Sequence, residues 1–505
     1  MLLTKFYKYS IIITNFIAER YRFMKVKKMC CVALAASVLA TGSAMFTANA
    51  NELDSHMLGD VNCDGKINVE DVAALNDYVN EQYKPDCTDA VFAQTADLNG
   101  DGKVDYSDLN VFIDEYIKRK REVGDANLNG VIDVNDATCV QQYLTGGIND
   151  FNMSNFLCAD FNTDGQISVN DVTYIQNYIS HGKSDVITQE IKDNDAKYRK
   201  AYSKYLTSDV LAAMKGCYLI ENDESILKKR NEIYFRDSTW LYHYVAVKNR
   251  WDSGLRVIGT YDLKNKDVVF PSKTDGGVTV NGIESASSSV QGARLGSSKV
   301  YEKGALGFSF ATNSKFYFSD YYGLVLNSAF IPSGYDVGRD SFKLNLGLQY
   351  VFLSDNITLH ERCFYGDSNL KQIKFPDTIT KISDDVVSGC ENLTYVKIPD
   401  SVRKIGSGAF MGTGLSKIIL GKNVEVIKDS SFQNTPLKEV YVYNPTMTIG
   451  PAAFYNDNMI TNGYINPNCT FYGYKPSTLL EWLQEKKADF DEFEGPMVYK
   501  FALIK

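Results

Sequence analysis

Four short acidic loops between Asp60 and Asp171 carry the residues best suited to chemistry. The first places side-chain oxygens at Asp60, Asn62, Asp64, Asn68 and Asp71, and the second at Asp97, Asn99, Asp101, Asp105 and Asp108. The third has Asp125, Asn127, Asn129, Asp133 and Asp136, and the fourth Asp160, Asn162, Asp164, Ser168 and Asp171. In each loop the oxygens fall at positions 1, 3, 5, 9 and 12, with glycine at 6 and a β-branched residue at 8. Ca²⁺ takes six to eight hard oxygen ligands, and alternate residues of a tight loop turn their side chains towards one point. Glycine at position 6 allows a sharp turn that a Cβ would oppose. The position-12 carboxylate also opens a helix, where negative charge suits the N-terminus. One such run alone could be a solvated polar turn. Four complete copies imply calcium, about four ions in all.

The residues after each loop show how it is held in place. Asp71 leads into Val72, Leu75, Tyr78 and Val79, and Asp108 into Leu109, Phe112, Tyr116 and Ile117. Asp136 leads into Ala137, Val140, Tyr143 and Leu144, and Asp171 into Val172, Ile175, Tyr178 and Ile179. This spacing predicts a helix with one buried face after every loop. No comparable pattern precedes the loops, so each unit reads as half an EF-hand, with Asp in place of Glu at position 12.

Loop and exiting helix together resemble the dockerin, the module that plugs cellulosomal proteins into cohesins on a scaffoldin. Dockerins carry two such units, so the resemblance implies a tandem all-α pair at 59–120 and 124–182. It also implies that cohesin contacts come from loop positions 10 and 11 and the following helix. In the first module these are Val69, Glu70, Asn76 and Asp77, then Tyr106, Ser107, Ile113 and Asp114. The second module offers Val134, Asn135, Gln141 and Gln142, then Val169, Asn170, Gln176 and Asn177. The Ser/Thr pair of some dockerin classes is absent. The near-identity of the third and fourth units suggests a two-fold docking surface.

At 505 residues the chain is too long for one core and should hold several domains. A net charge of −9 argues against nucleic-acid binding, and much of the acid sits in the four loops. An apolar content of 44% with 12% aromatics is that of a folded chain. Residues 1–50 read as an export segment. Met24 to Lys28 gives a basic start, Cys30 to Leu39 an apolar run, and Ala48-Asn-Ala50 a cleavage site, with Met24 as the expected true start. The run Ile11–Ile17 is too short to anchor in a bilayer. A secreted, extracellular protein without a transmembrane anchor is therefore expected. Of the cysteines beyond that segment, Cys63/Cys87 and Cys139/Cys158 each fall within one module, and both bridged and free states remain open. The absence of any C-x-x-C pair argues against structural zinc.

A second repeat begins near residue 340. Leu348-x-x-Val351, Leu370-x-x-Ile373, Leu393-x-x-Val396, Leu415-x-x-Ile418 and Leu437-x-x-Val440 step by 22 or 23 residues. Ladders of Ile382, Ile405, Ile427 and Ile449, and of Phe364, Phe410, Phe432 and Phe454, keep the same register. A fixed period of this size means a solenoid whose units bury their apolar ladders against their neighbours. The units resemble the BspA-like leucine-rich repeat, which implies a solenoid over 340–490. The stretch from Thr470 to Trp482 is similar to the segment that caps such arrays, a strand followed by a short amphipathic helix. The ladder itself is core. Any ligand must use positions between, such as Lys371, Lys374, Tyr395, Lys397, Lys417, Glu439 and Tyr441.

Residues 186–216 read as helix-prone and 217–339 as β-rich. The β-rich stretch fits either an independent module or irregular leading repeats, with the independent module favoured. Cys217 and His243 form the one conceivable nucleophile pair, and no H-E-x-x-H, G-x-S-x-G or P-loop occurs. Asp237, Asp252, Asp262, Glu284 and Asp320 are unplaced carboxylates. Trp240, Tyr242, Tyr244, Trp251, Tyr317, Tyr321 and Tyr322 could stack on sugars but more often fill a β core. The expectation is a multidomain, non-catalytic, secreted cellulosome component that binds cohesin and presents a repeat surface to protein or polysaccharide. The rival readings are a tethered hydrolase with its active site in 217–342, and a cell-surface adhesin.

Overall fold

The computed structural model describes residues 57–82, 87–120, 122–148, 151–181, 189–220, 222, 233–236, 244–248, 255–260, 267–274, 277–283, 306–307, 326–456, 464–465, 468–491 and 500–504. The expected export segment lies outside these residues. So do His243, the five unplaced carboxylates and, except for Tyr244, the seven aromatics named above.

The loops fold as short N-terminal lead-ins to helices. Loop 1 runs into α1 (Val69–Val79), and loop 2, entered from α2 (Asp89–Ala96), runs into α3 (Tyr106–Arg119). Loop 3 runs into α4 (Val134–Leu144), and loop 4, entered from α5 (Met153–Ala159), runs into α6 (Val169–His181). The short helices α2 and α5 correct the expectation that no helix precedes a loop. They are only two turns long, too short to show an amphipathic period in the sequence. Helix α1 packs on α3, and α4 on α6. Within each module an aromatic pair closes the core, Tyr78 on Phe92 at 4.3 Å and Tyr143 on Phe151 at 4.2 Å.

The two modules also pack on each other. Ile67 N donates to Gly165 O at 3.2 Å, linking loop 1 to loop 4. Helix α3 lies against α5, where the Ser154 hydroxyl bonds the Glu115 carboxylate. Gly59, at φ +102°, sits so close to Met153 that a Cβ would come within 2.7 Å of its sulfur.

Beyond the modules come α7 (Gln189–Ala201), α8 (Ser208–Ala213) and an antiparallel meander. Its strands are β1 (Tyr218–Leu219), β2 (Ile233–Arg236), β3 (Tyr244–Lys248) and β4 (Leu255–Thr260). Strand β5 (Asp267–Val269) follows, then β6 (Val280–Ile283), β7 (Leu306–Gly307), β8 (Ser328–Ile331), β9 (Asp336–Val337), β10 (Tyr350–Leu353), β11 (Thr358–Leu359) and β12 (Gln372–Lys374). Strands β5, β8, β10 and β12 form one parallel sheet, with Val268, Ala329, Val351 and Ile373 in line across it. The meander forms one end of an eight-stranded sheet that continues through the parallel pairs β4–β6, β6–β9 and β9–β11, with β7 beside β4. From β5 onward the β-rich region runs on into the solenoid as irregular leading strands. The antiparallel meander is joined to it through β4–β6, so the favoured independent module is not a separate sheet. The spacing of the leading strands is uneven, which hid the period from the sequence.

The regular repeats supply two further parallel sheets. One holds β13 (Lys381–Ile382), β14 (Lys404–Ile405), β16 (Val426–Ile427) and β18 (Thr448–Ile449). The other holds β15 (Lys417–Ile419), β17 (Glu439–Tyr441), β21 (Thr470–Gly473) and β22 (Lys500–Leu503). Between them β19 (Tyr455–Asn456) and β20 (Tyr464–Ile465) make an antiparallel pair. Phenylalanines stack through the array, Phe410 on Phe432 and Phe432 on Phe454, each pair at 5.2 Å. Helix α9 (Thr478–Asp491) closes the end, its Trp482 edge-on to Phe454 at 5.9 Å. The expected strand-and-helix cap is present, with β22 added beside it.

Candidate functional site

Each loop is a nest of backbone donors wrapped around its own oxygens. The position-1 carboxylate accepts from the glycine N–H at position 6 in every copy: Gly65 to Asp60 at 3.1 Å, Gly102 to Asp97 at 2.9 Å, Gly130 to Asp125 at 2.8 Å and Gly165 to Asp160 at 3.1 Å. The position-3 amide oxygen accepts from the position-5 N–H, as in Asp64 to Asn62 at 3.0 Å and Asn129 to Asn127 at 3.1 Å. The position-12 carboxylate is fully buried in all four loops. One of its oxygens accepts from position 9 (Asn68 to Asp71, 2.9 Å; Asp133 to Asp136, 2.7 Å) and the other from position 3 (Asn62 to Asp71, 3.2 Å; Asn127 to Asp136, 3.1 Å). Position 9 is in turn the N-cap of the exiting helix for Asn68, Asp105 and Asp133. Metal-loop and helix-capping roles thus fall on the same residues, in a capping box with Asp at its inner position.

Burial raises the Asp71 carboxyl well above the usual range, and that of Asp136 and Asp171 more modestly, with neighbouring carboxylates pushing the same way. Backbone donors pull all three back down. Buried acids that repel one another around an all-oxygen pocket are what a hard cation relieves. The residues present fit calcium. Asp, Asn and Ser at positions 1, 3, 5, 9 and 12 of each loop would hold it, and the ion would supply charge neutralisation that fixes the loop. Among the described residues no three His, Cys, Asp or Glu side chains converge by themselves as a metal cluster, and the loops divide their donors between carboxylates and amides.

The fourth loop differs from the rest. Lys120 Nζ lies 2.9 Å from Asp160 Oδ2, and both side chains are buried. An ammonium therefore sits on the position-1 ligand. Removing one partner of a buried pair strands the other charge. Lys120→Met should cost the calcium-free protein roughly 3–5 kcal/mol, and the calcium-loaded protein much less, as the ion takes over the compensation of Asp160. Thermal unfolding in calcium and in chelator checks this; equal losses in both would make the lysine a structural brace only.

The expected docking residues part company between the modules. In the first, Asn76 Nδ2 donates to Gln372 Oε1 at 3.0 Å, and Gln372 Nε2 reaches Ala73 O at 3.3 Å. Asn80 Oδ1 accepts from the Tyr395 hydroxyl at 3.0 Å and from the Tyr106 hydroxyl. The Lys397 ammonium lies 3.1 Å from the Tyr106 ring centroid. Lys374 Nζ donates to Asn110 Oδ1 at 2.5 Å, and Ser354 Oγ to Asp114 Oδ1 at 3.1 Å. Tyr116 stacks on Phe330 at 4.4 Å. Helices α1 and α3 thus lie on the outer face of the leading repeat sheet, around a cleft of about 520 Å³ that Glu70 and Asp77 also line. Val69 and Ile113 are buried, while Glu70, Ser107 and Asp114 keep exposed surface. Three of the positions expected to meet an external ligand, Lys374, Tyr395 and Lys397, are therefore engaged within the chain, a correction to that expectation. Lys371 lines the same cleft. Lys417, Glu439 and Tyr441 remain partly open, with Tyr441 stacked on Tyr472 at 4.3 Å. In the second module Val134, Asn135, Gln141, Gln142, Val169, Asn170, Gln176 and Asn177 are all exposed.

A sequence signal for the internal contact existed. Phe330 and Phe352 occupy outward-facing strand positions in register with Lys374 and are fully buried. The equivalent Ile419 and Tyr441 farther along keep exposed surface.

Burial in the cleft pushes the Asp77 carboxyl up to about 6, and its bond to Gln372 offsets part of that. Glu70, Glu81, Tyr106, Tyr350, Asp377, Tyr395, Lys371, Lys374 and Lys397 are the other titratable groups around it. The docked state binds this proton more tightly than a free carboxyl of 3.8 would. Docking should therefore strengthen as pH falls from 7 towards 5 and weaken as it rises through 6. Hydrogen exchange in α1, corrected for its intrinsic pH dependence, reads this directly. Faster opening at pH 5 than at pH 7 would contradict it.

No disulfide joins the described cysteines. Burial, then the adjacent Cys87 thiol, push Cys63 up to about 12. Cys139 and Cys158 instead donate to separate carbonyls, Ala126 O and Arg119 O. Cys217 is buried and donates to Lys215 O.

Comparison with known families matches residues 58–115 and 123–180 to the dockerin type I domain, and residues 335–471 to the BspA type leucine rich repeat region in six copies. No curated protein matches the chain. Among solved structures it is similar to a leucine rich repeat protein of T. pallidum, at 21% identity over 51% of this chain and 96% of that one, with a TM-score of 0.34. It is also similar to a leucine rich cell surface protein from Faecalibacterium prausnitzii, at 18% identity over 46% of this chain and 52% of that one, with a TM-score of 0.29. A leucine-rich repeat protein from Bacteroides ovatus is 17% identical over 31% of this chain and 45% of that one, with a TM-score of 0.21.

Proposed function

We propose, for a chain that carries two dockerin type I modules ahead of a BspA-type leucine-rich repeat array, that it is a secreted, non-catalytic component of a cellulosome. Its modules fold around calcium and dock on cohesins of a scaffoldin, and the repeats hold out a binding surface. The observation that carries this reading is the four-fold recurrence of the same oxygen loop, each with a buried position-12 carboxylate capping its helix.

The ligand surface of the repeats is the open part of the outer sheet face, where Lys417, Ile419, Glu439, Tyr441 and Tyr472 stand. Stacked tyrosines beside a lysine and a glutamate suit either a protein or a polysaccharide. Titrating the whole chain against a panel of cohesin modules by calorimetry, in calcium and then in chelator, tests the docking. Calcium-dependent binding supports it, and calcium uptake with no cohesin partner would make the loops a stabilising spacer.

A further inference from the structure

We infer that the two modules divide the work: the first is held permanently as a brace on the repeat sheet, and the second alone is open to a cohesin. The chain then docks one cohesin, not two. This rests on the cohesin reading above.

Corresponding positions differ sharply in exposure between the modules. Val69, at loop position 10, is 4% exposed, whereas its second-module counterparts Val134 and Val169 are 63% and 71% exposed. Ile113 is 1% exposed, and its counterparts Gln141 and Gln176 are exposed. Only one of two similar faces is free.

The surface that covers the first face also indicates what the second will take. Helices α1 and α3 lie on the flat outer face of a parallel sheet. They hold it by amide and hydroxyl bonds from Gln372 and Tyr395, and by one aromatic stack. The second module presents corresponding helices with a pair of valines and a row of Asn and Gln, and so fits a sheet surface on another protein.

Charge adds to the polar contacts in favouring the first module over the second on this sheet. The face of the first carries Glu70 and Asp114, and the sheet opposite carries Lys371, Lys374 and Lys397 beside its own Asp377. The corresponding positions of the second module are uncharged. Two outward phenylalanines, Phe330 and Phe352, would stand in water if the first module left. Their burial favours a closed state that persists while the second module docks.

The test uses the full-length chain in calcium, with a panel of purified cohesin modules as probe. The native chain should bind one cohesin, and Val134→Asp with Val169→Asp should weaken that binding at least a hundredfold. Gln372→Glu with Lys374→Glu sets two carboxylates opposite Asp77 and Asp114 without touching the repeat core. This variant should expose the first face and raise the stoichiometry from one towards two. Phe330→Glu serves as a second opening variant, and circular dichroism reports whether each still folds. A native stoichiometry of two, or full binding by the double-valine variant, would overturn the inference while leaving the cohesin reading intact. A folded, calcium-loaded native chain and opened variants that bind no cohesin would overturn the reading beneath it. As a readout free of cohesin, α1 amides should exchange more slowly than α4 amides in the native chain, and the difference should vanish in the charge-reversed variant. Equal exchange in the native chain would also overturn it.

Discussion

Asp136→Ala should empty the third loop of calcium and destabilise the second module by roughly 3 kcal/mol or more. The carboxylate is fully buried and holds two backbone donors, Asp133 N at 2.7 Å and Asn127 N at 3.1 Å. Alanine leaves both N–H groups without their partner in a dry pocket, each costing about 1–3 kcal/mol. It also removes the inner half of the α4 capping box. The loss of one calcium ion deepens the effect by mass action, because an ion that binds only the folded loop stabilises it. Calorimetry should count one ion fewer, and thermal unfolding in calcium should show an early transition. Asp136→Asn separates the two parts, since it keeps one acceptor oxygen but loses the charge. Retention of the full ion count by the alanine variant would remove Asp136 from the metal loop.

Phe432→Ala should cost about 3–5 kcal/mol, a typical loss for a large aromatic in a close-packed core. The ring is fully buried and lies between Phe410 and Phe454, 5.2 Å from each and within 4° of parallel to both. In a solenoid each unit is stabilised by its neighbours, so one cavity weakens two interfaces. The C-terminal units and the α9 cap should open first, seen as faster hydrogen exchange beyond β16 than before β14. Uniform exchange along the array would mean that the repeats unfold as one block. A loss under about 1 kcal/mol would mean that the site collapses to fill the space.

Much of this was legible in residue spacing. Positions 1, 3, 5, 9 and 12 recur because a tight loop allows only certain side chains to face one point, and that constraint is local. Ile382, Ile405, Ile427 and Ile449 recur because parallel strands in register must stack like on like. The short helices α2 and α5 escaped because two turns carry too few apolar residues to show a period. The leading strands β5 and β8 escaped because a long, uneven segment separates them. The buried Lys120–Asp160 pair joins residues 40 apart and had no local signature.

Residue order alone was enough to specify the calcium loops, the helices that leave them, and the solenoid with its core ladder. Local pattern decides which face of an element is apolar or acidic. It does not decide what arrives to cover that face. The folded chain was needed to pair Asn76 with Gln372, 296 residues away, and to lay the first module over Phe330 and Phe352. That contact distinguishes two modules whose loops read alike, because burial is set by the assembled surfaces and not by the loop that each module carries.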